Sequence, residues 1–169
     1  SKSWAFADFM ERVFLPFYRR KWKRSTATTN NERMRHHLAS EFGALTLGTF
    51  NRDHLQAFLD AKAAAGLSFS LVDHLRWDLK QVFDMAVAEG FLLRNPAQLL
   101  FTPRECPRPA TRIMTIEEVR KVFGVLEVRE QLIARLAVLA GMRPGEIFAL
   151  KWRRLEAQYA DIRQRVYRG

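Results

Sequence analysis

Two residues of this chain have the types and spacing to handle a phosphate: Arg143, between two helical patterns, and Glu146, three positions later. They stand in Leu136-Ala137-Val138-Leu139-Ala140-Gly141-Met142-Arg143-Pro144-Gly145-Glu146-Ile147-Phe148-Ala149-Leu150-Lys151-Trp152, which reads as an apolar helix, a sharp turn and a second helix. Gly141 suits the position just past a helix, where φ is positive, and Pro144 suits the first turn of the next, where a backbone donor is not needed. Arg143 is thereby held at a helix junction. Its forked donors add to the unpaired N–H groups and positive dipole end there, so the natural ligand is a phosphate. The plainer reading makes Arg143 a surface cap and Glu146 a first-turn acid favoured by the dipole. Taken alone, the stretch supports both.

A second group of residues suits a polyanion rather than a single phosphate. Arg19-Arg20-Lys21-Trp22-Lys23-Arg24 is a basic run broken by one aromatic. The helix expected after it, capped by Ser25 or Thr26 and running to about Ser40, turns Ala27, Met34 and Leu38 inward and collects Thr29, Arg33, Arg35 and His36 outward. Glu32 is the only acid between Arg19 and Ser40, so the run and the helix form one positive surface suited to phosphates. A solvated helix end, where cations are favoured, explains part of this charge but not its density. His36 and His37 are adjacent, fall on different sides of a helix and make a poor metal pair. Further along, Trp77 lies outward between Arg76 and Lys80, either in contact with nucleic acid or covered by a neighbouring loop.

The elements that must position these groups are helical. Ser3 can cap a first helix with Phe6, Phe9, Met10, Val13 and Phe17 at helical spacing, bent or ended by Pro16. Phe42-Gly43 ends the second helix, and Leu45-Thr46-Leu47 is a short extended link. Asn51 caps a third helix with Leu55, Phe58, Leu59 and Ala63 inward, stopped by Gly66. A fourth begins at Ser68 or Ser70 and stops at Gly90, with Leu71, Val72, Leu75, Leu79, Val82, Phe83 and Ala86 inward. A 100° spacing puts Asp73, Trp77, Lys80, Gln81 and Asp84 on the opposite side. Residues 101–113 carry three prolines without apolar periodicity and read as an extended linker. Thr115-Ile116-Glu117-Glu118 is a capping box opening a further helix, and another covers about Val128 to Ala140. Ile162, Gln164 and Val166 alternate with Arg163, Arg165 and Tyr167 as one strand.

The box Gly141, Arg143, Gly145, Glu146, Ile147, Leu150 and Trp152 resembles the first conserved box of the tyrosine recombinase (phage integrase) family. The segment Glu89-Gly90-Phe91-Leu92-Leu93-Arg94-Asn95-Pro96-Ala97 resembles the end of that family's core-binding domain, in matching order and spacing. The resemblance implies a mainly α chain. A SAM-like four-helix core-binding domain over residues 1–100 would be followed by the linker at 101–113. A truncated, mostly helical start of an α+β catalytic domain would then fill 114–169. In the family the arginine in the place of Arg143 clamps the scissile phosphate, and the acid in the place of Glu146 supports the site. The family cuts DNA through a 3′-phosphotyrosyl link, without metal or nucleotide cofactor. Its hairpin lysine, His-x-x-Arg pair and nucleophilic tyrosine find no match in this chain, Tyr159 and Tyr167 falling too close behind the box. On this reading the chain is inactive alone and forms the DNA-binding portion of a site-specific recombinase. It would self-associate on DNA within the full-length protein. Where the family usually carries an acid two positions after the box tryptophan, this chain has Arg154, so the turn there is expected to differ.

Composition sets the bounds. A chain of 169 residues with 48% hydrophobic content is a folded protein with one sizeable core or two small ones. The net charge of +10 argues for a polyanionic partner, duplex DNA before an anionic membrane. The apolar runs are too short to cross a bilayer, and the start lacks the apolar core of a signal peptide. The expected location is therefore inside the cell; the resemblance implies the cytoplasm of a prokaryotic cell and allows a phage or mobile element as the source. Cys106 is the only cysteine, which excludes an internal disulfide and a cysteine-based metal cluster. Two other function classes fit the same charge: a non-catalytic DNA-binding adapter or regulator, and a basic helical module for an acidic protein partner.

Overall fold

The computed structural model describes residues 4–156 and 158–166. It divides into two compact units, Ser1–Ala110 and Thr111–Gly169.

The first unit is a bundle of four helical rods. The first rod joins α1 (Phe6–Phe9), a π-helical turn (Met10–Phe14) and α2 (Leu15–Arg19). Pro16 was expected to bend or end this helix, yet the rod continues through it. Proline cannot donate to the carbonyl four residues back, and the widened π turn just before it absorbs that missing bond. The cap expected at Ser3 lies outside the described residues. The second rod joins α3 (Arg24–Met34), a π turn (Arg35–Ala39) and α4 (Ser40–Phe42). Its N-cap is Lys23 rather than Ser25 or Thr26, and Ser25 instead lends its carbonyl to the Thr29 hydroxyl. The third rod, α5 (Arg52–Ala64), is capped by the Asn51 side chain, which accepts from the His54 N–H at 2.8 Å. The fourth, α6 (Phe69–Ala88), is capped by Ser68.

Aromatic side chains fill the centre. Phe6, Phe9, Phe14, Phe42 and Phe83 are fully enclosed, with Met34, Leu38, Leu55, Leu59, Leu75 and Leu79 between them. Phe6 meets Phe42, Phe50 and Phe83 at ring separations of 5.6 to 6.0 Å, tying the first rod to the second, to the link before α5 and to α6. A Cβ on Gly43 would clash with the Ala39 carbonyl of its own rod and stand 3.3 Å from Ala7 of the first rod. The Gly43 carbonyl accepts from the Ala7 N–H.

The chain after α6 does not leave the bundle as an open linker. Asn95 donates to the Lys80 carbonyl and to Asp84 and accepts from the Ala97 N–H, pinning the turn against α6. The Gln56 amide pairs with both backbone groups of Phe101, as a neighbouring strand would. Pro103 and Cys106 are buried, the Pro107 carbonyl accepts from the Phe69 N–H at 2.9 Å, and the Arg108 guanidinium lies 3.9 Å over the Phe69 ring. The segment expected to be an extended linker turns at residues 104–106, where the Cys106 N–H reaches back to the Pro103 carbonyl, and through Arg108 it is packed onto the first unit.

The second unit consists of α7 (Ile116–Val125), α8 (Val128–Ala140), α9 (Pro144–Ala149) and a 3₁₀ turn (Trp152–Arg154). Thr115 and Glu118 form the reciprocal capping box at the start of α7. Gly141, at φ 63°, ends α8 in the left-handed conformation that its sequence context requires. Among the described residues of this unit, Met142, Ile147 and Ala149 are the buried hydrophobics. Beyond the turn, Leu155 bridges Ala160. The strand expected from Ile162 to Tyr167 is absent among the described residues, and Tyr167 lies outside them. The backbone there has one rung, from the Val166 N–H to the Gly145 carbonyl at 2.9 Å, and without a neighbouring strand an alternating pattern cannot become a ladder. No helix among the described residues is long and apolar enough to cross a membrane.

Candidate functional site

Local geometry in the second unit gives Arg143 and Glu146 distinct tasks. Arg143 is the residue before α9, in extended conformation, and Glu146 lies in the first turn. The Glu146 carboxylate accepts from the Arg143 backbone N–H through Oε2 at 2.9 Å and faces the Arg143 guanidinium through Oε1 at 3.4 Å. One carboxylate therefore fixes both the backbone and the charged end of the same arginine. The Glu146 side chain is 21% exposed and that of Arg143 is 81% exposed, so the acid is anchored and the guanidinium is presented outward. Gly145 between them serves close approach: a Cβ there would lie 2.7 Å from the Val166 carbonyl oxygen. This arrangement can hold an anion and orient it through forked donors.

In the first unit the basic run forms the turn between the first two rods. Arg19 ends α2, Arg20 follows, and Lys23 and Arg24 begin α3. Trp22 is the pin for this turn: its ring packs 5.5 Å from Tyr18 and 6.4 Å from Phe14, in a column running into the core. Among the described residues no salt bridge ties Arg19, Arg20, Lys21, Lys23 or Arg24, and all five are exposed. A pinned turn with five cations around one aromatic is a surface to which a polyanion can bind without breaking an internal contact.

The arginines of α3 and its π turn are differently committed. Arg33 does not lie outward as its helical spacing suggested. Its guanidinium turns inward and donates to both carboxylate oxygens of Asp78, at 2.7 and 2.8 Å, with side-chain exposures of 13% and 9%. Burial pushes the Asp78 carboxyl above the usual carboxylate range, against the pull of Arg33. Arg35 is exposed but grips Glu11 through two bonds at 2.6 and 2.8 Å. Those hydrogen bonds hold the Glu11 carboxyl below its ordinary range. Thr29 and His36 are exposed on the same stretch.

On α6 the outward groups are partly covered by the returning chain. Burial works against the charge on Asp73, but the Thr102 hydroxyl and the Arg76 guanidinium outweigh it and keep its carboxyl below the usual range. Arg76 lies 4.6 Å over the Trp77 ring, and Trp77 remains 45% exposed. Lys80 pairs with Asp84 at 3.0 Å. The structure thus brings the five cations of the first turn together on open surface, and shows Arg33, Arg35, Arg76 and Lys80 each bound to a carboxylate. Sequence reasoning missed Asp78, whose signal is its position on the apolar stripe of α6 between Leu75 and Val82: a carboxylate there needs a buried cation. Among the described residues no cluster of ligand side chains could hold a metal ion.

No protein-family model matches the chain. Among curated proteins it is 26% identical over 130 residues to a tyrosine recombinase XerC-like protein of Caldanaerobacter subterraneus subsp. tengcongensis, covering 73% of this chain and 33% of that one. It is 31% identical over 103 residues to the ICEBs1 integrase of Bacillus subtilis, covering 57% of this chain and 27% of the integrase. The chain therefore spans less than half the length of these relatives. Among solved structures it resembles lambda integrase in a tetramer bound to a Holliday junction, with a TM-score of 0.81 and 20% identity over 97% of this chain and 47% of that one. An integrase-like domain from Bacillus cereus superposes with a TM-score of 0.56 and 14% identity, over 59% of this chain and 84% of the domain.

Proposed function

We propose, from the premise that the chain belongs to the tyrosine recombinase (phage integrase) family, that it is the DNA-binding portion of a site-specific recombinase. In this reading the first unit holds duplex DNA, and the second contributes the arginine that clamps the scissile phosphate. The observation that carries the reading is the pair Arg143 and Glu146, an outward guanidinium whose backbone and charge are fixed by one anchored carboxylate. A donor held ready for a phosphate oxygen costs no reorganisation when negative charge grows there. Duplex DNA meets Arg19, Arg20, Lys21, Lys23 and Arg24 first, because no salt bridge among the described residues holds these cations. Thr29, His36, Trp77 and its stacked Arg76 extend the surface, while Arg35 and Lys80 reach phosphates only by sharing or leaving Glu11 and Asp84. Contacts of this kind position a protein on the backbone rather than read bases. The protein works in the cytoplasm of a prokaryotic cell, on DNA, as one of several copies.

The experiment is Arg143→Ala in the full-length recombinase. Strand cleavage should fall about a hundredfold to a thousandfold, while folding and most of the DNA affinity remain. Arg143→Lys should recover only part of the rate, since a point charge replaces a fork. Unaltered cleavage by Arg143→Ala would reduce the residue to a surface cap.

A further inference from the structure

Three of the four histidines of this chain line one notch on the first unit, of about 470 Å³. His36 and His37 come from the π turn of the second rod, with ring centroids 4.6 Å apart, and His74 comes from the second turn of α6. Ser68, Ser70 and Leu71, at the start of α6, complete the wall. The Ser68 oxygen accepts from the Leu71 N–H, which leaves its hydroxyl proton to donate.

Fixed charges of both signs surround this notch. Glu32 from α3 and Asp78 from α6 stand against Arg33 from α3 and Lys62 from α5. Asp73, which also acts on His74, is already bound by Arg76. Histidine is the side chain whose ordinary charge change falls between pH 5 and 8, and three histidines line this notch. Burial, followed by the charges of His36, Lys62 and Arg33, holds the His37 imidazole below its usual range. An arriving anion reverses the sign of those surroundings.

We propose that this notch is a proton-linked seat for a backbone phosphate of duplex DNA, held by the imidazolium donors of His36, His37 and His74 and the hydroxyls of Ser68 and Ser70. The proposal rests on the DNA-binding reading and extends it to residues outside the basic run. A phosphodiester does not titrate in this range, so protons taken up on binding go to the imidazoles. By linkage, each proton fully coupled to binding raises affinity about tenfold per unit fall in pH.

The test is a titration of duplex DNA with the whole chain at pH 8, 7 and 6 and one salt concentration, with calorimetry in two buffers of different ionisation enthalpy to count protons. Affinity should rise about tenfold or more from pH 8 to pH 6 with net proton uptake. The triple variant His36→Gln, His37→Gln, His74→Gln should lose most of that rise while still binding at pH 8. His74→Gln alone, at an exposed position, guards against misfolding and should lower the proton count. His54→Gln should keep the full effect, because His54 stacks on Phe50 away from the notch. Affinity independent of pH, or a pH dependence that survives the triple variant, would overturn the proposal and leave the DNA reading standing. Failure to bind DNA at every pH would overturn both. Equal shifts of the His37 and His74 ring resonances with inorganic phosphate and with DNA would reassign the notch to a free anion.

Discussion

Arg33→Ala should unfold this protein more readily rather than act on the proposed DNA contact. The guanidinium gives three hydrogen bonds, two to Asp78 and one to Asn30 at 3.0 Å, and the ion pair is about nine-tenths buried on both sides. Removing one partner of a buried pair costs about 3–5 kcal/mol, because the remaining charge is left without compensation. Asp78 has a partial escape, since burial already favours its protonated form. A neutral carboxyl left unsatisfied still costs about 1–3 kcal/mol. The expected loss is therefore about 3 kcal/mol, a large share of the 5–15 kcal/mol typical of a folded domain. Urea unfolding should show a lower midpoint at unchanged slope. Arg33→Met combined with Asp78→Leu should return to within about 1 kcal/mol of the wild type, because an apolar pair of similar volume fills the site without buried charge. A free phosphate-binding arginine behaves oppositely: its loss spares stability and lowers the salt slope of DNA binding by about 0.9. If Arg33→Ala changes stability by less than about 0.5 kcal/mol and removes one unit of salt slope, the buried-pair reasoning is wrong.

Two further outcomes follow from the packing. Limited proteolysis should cut first between residues 109 and 114, because the chain through Arg108 is held on the first unit; Gln56→Ala with Thr102→Val should extend cutting into residues 101–108. Gly145→Ala puts a methyl 2.7 Å from the Val166 carbonyl oxygen, so hydrogen exchange at the Val166 amide should lose its protection, at a cost of about 1–3 kcal/mol to the second unit.

The helices were legible wherever local chemistry and apolar period agreed. Asn51 with Leu55, Phe58, Leu59 and Ala63 marks α5 correctly from cap to stop, and the Thr115 and Glu118 box marks the start of α7. Gly141 and Pro144 fixed the junction that presents Arg143. What escaped depends on partners remote in sequence. The direction of Arg33 is set by Asp78, 45 residues away, not by the period of its own helix. The prolines of residues 101–113 marked a stretch without helix, but lack of helix does not imply freedom: the Gln56 side chain supplies the pairing that a strand would have given. Trp22 read as an interruption of the basic run, whereas its ring is the contact that ties that run to the core. The histidine notch was hidden because His36 and His37 were expected on different sides of a helix, whereas both line it from a π turn, and His74 joins them only when α6 packs against the second rod.

The salt dependence of duplex DNA binding, compared between the wild type and a variant with Arg19, Arg20, Lys21, Lys23 and Arg24 replaced by Ala, tests the central claim most directly. These cations are exposed and carry no internal salt bridge among the described residues, so folding should be preserved and any loss reports the interface. The account predicts tight binding at low salt by the wild type and a slope smaller in the variant by about 0.9 for each phosphate contact removed. Equal slopes and equal affinities for the two proteins would contradict it.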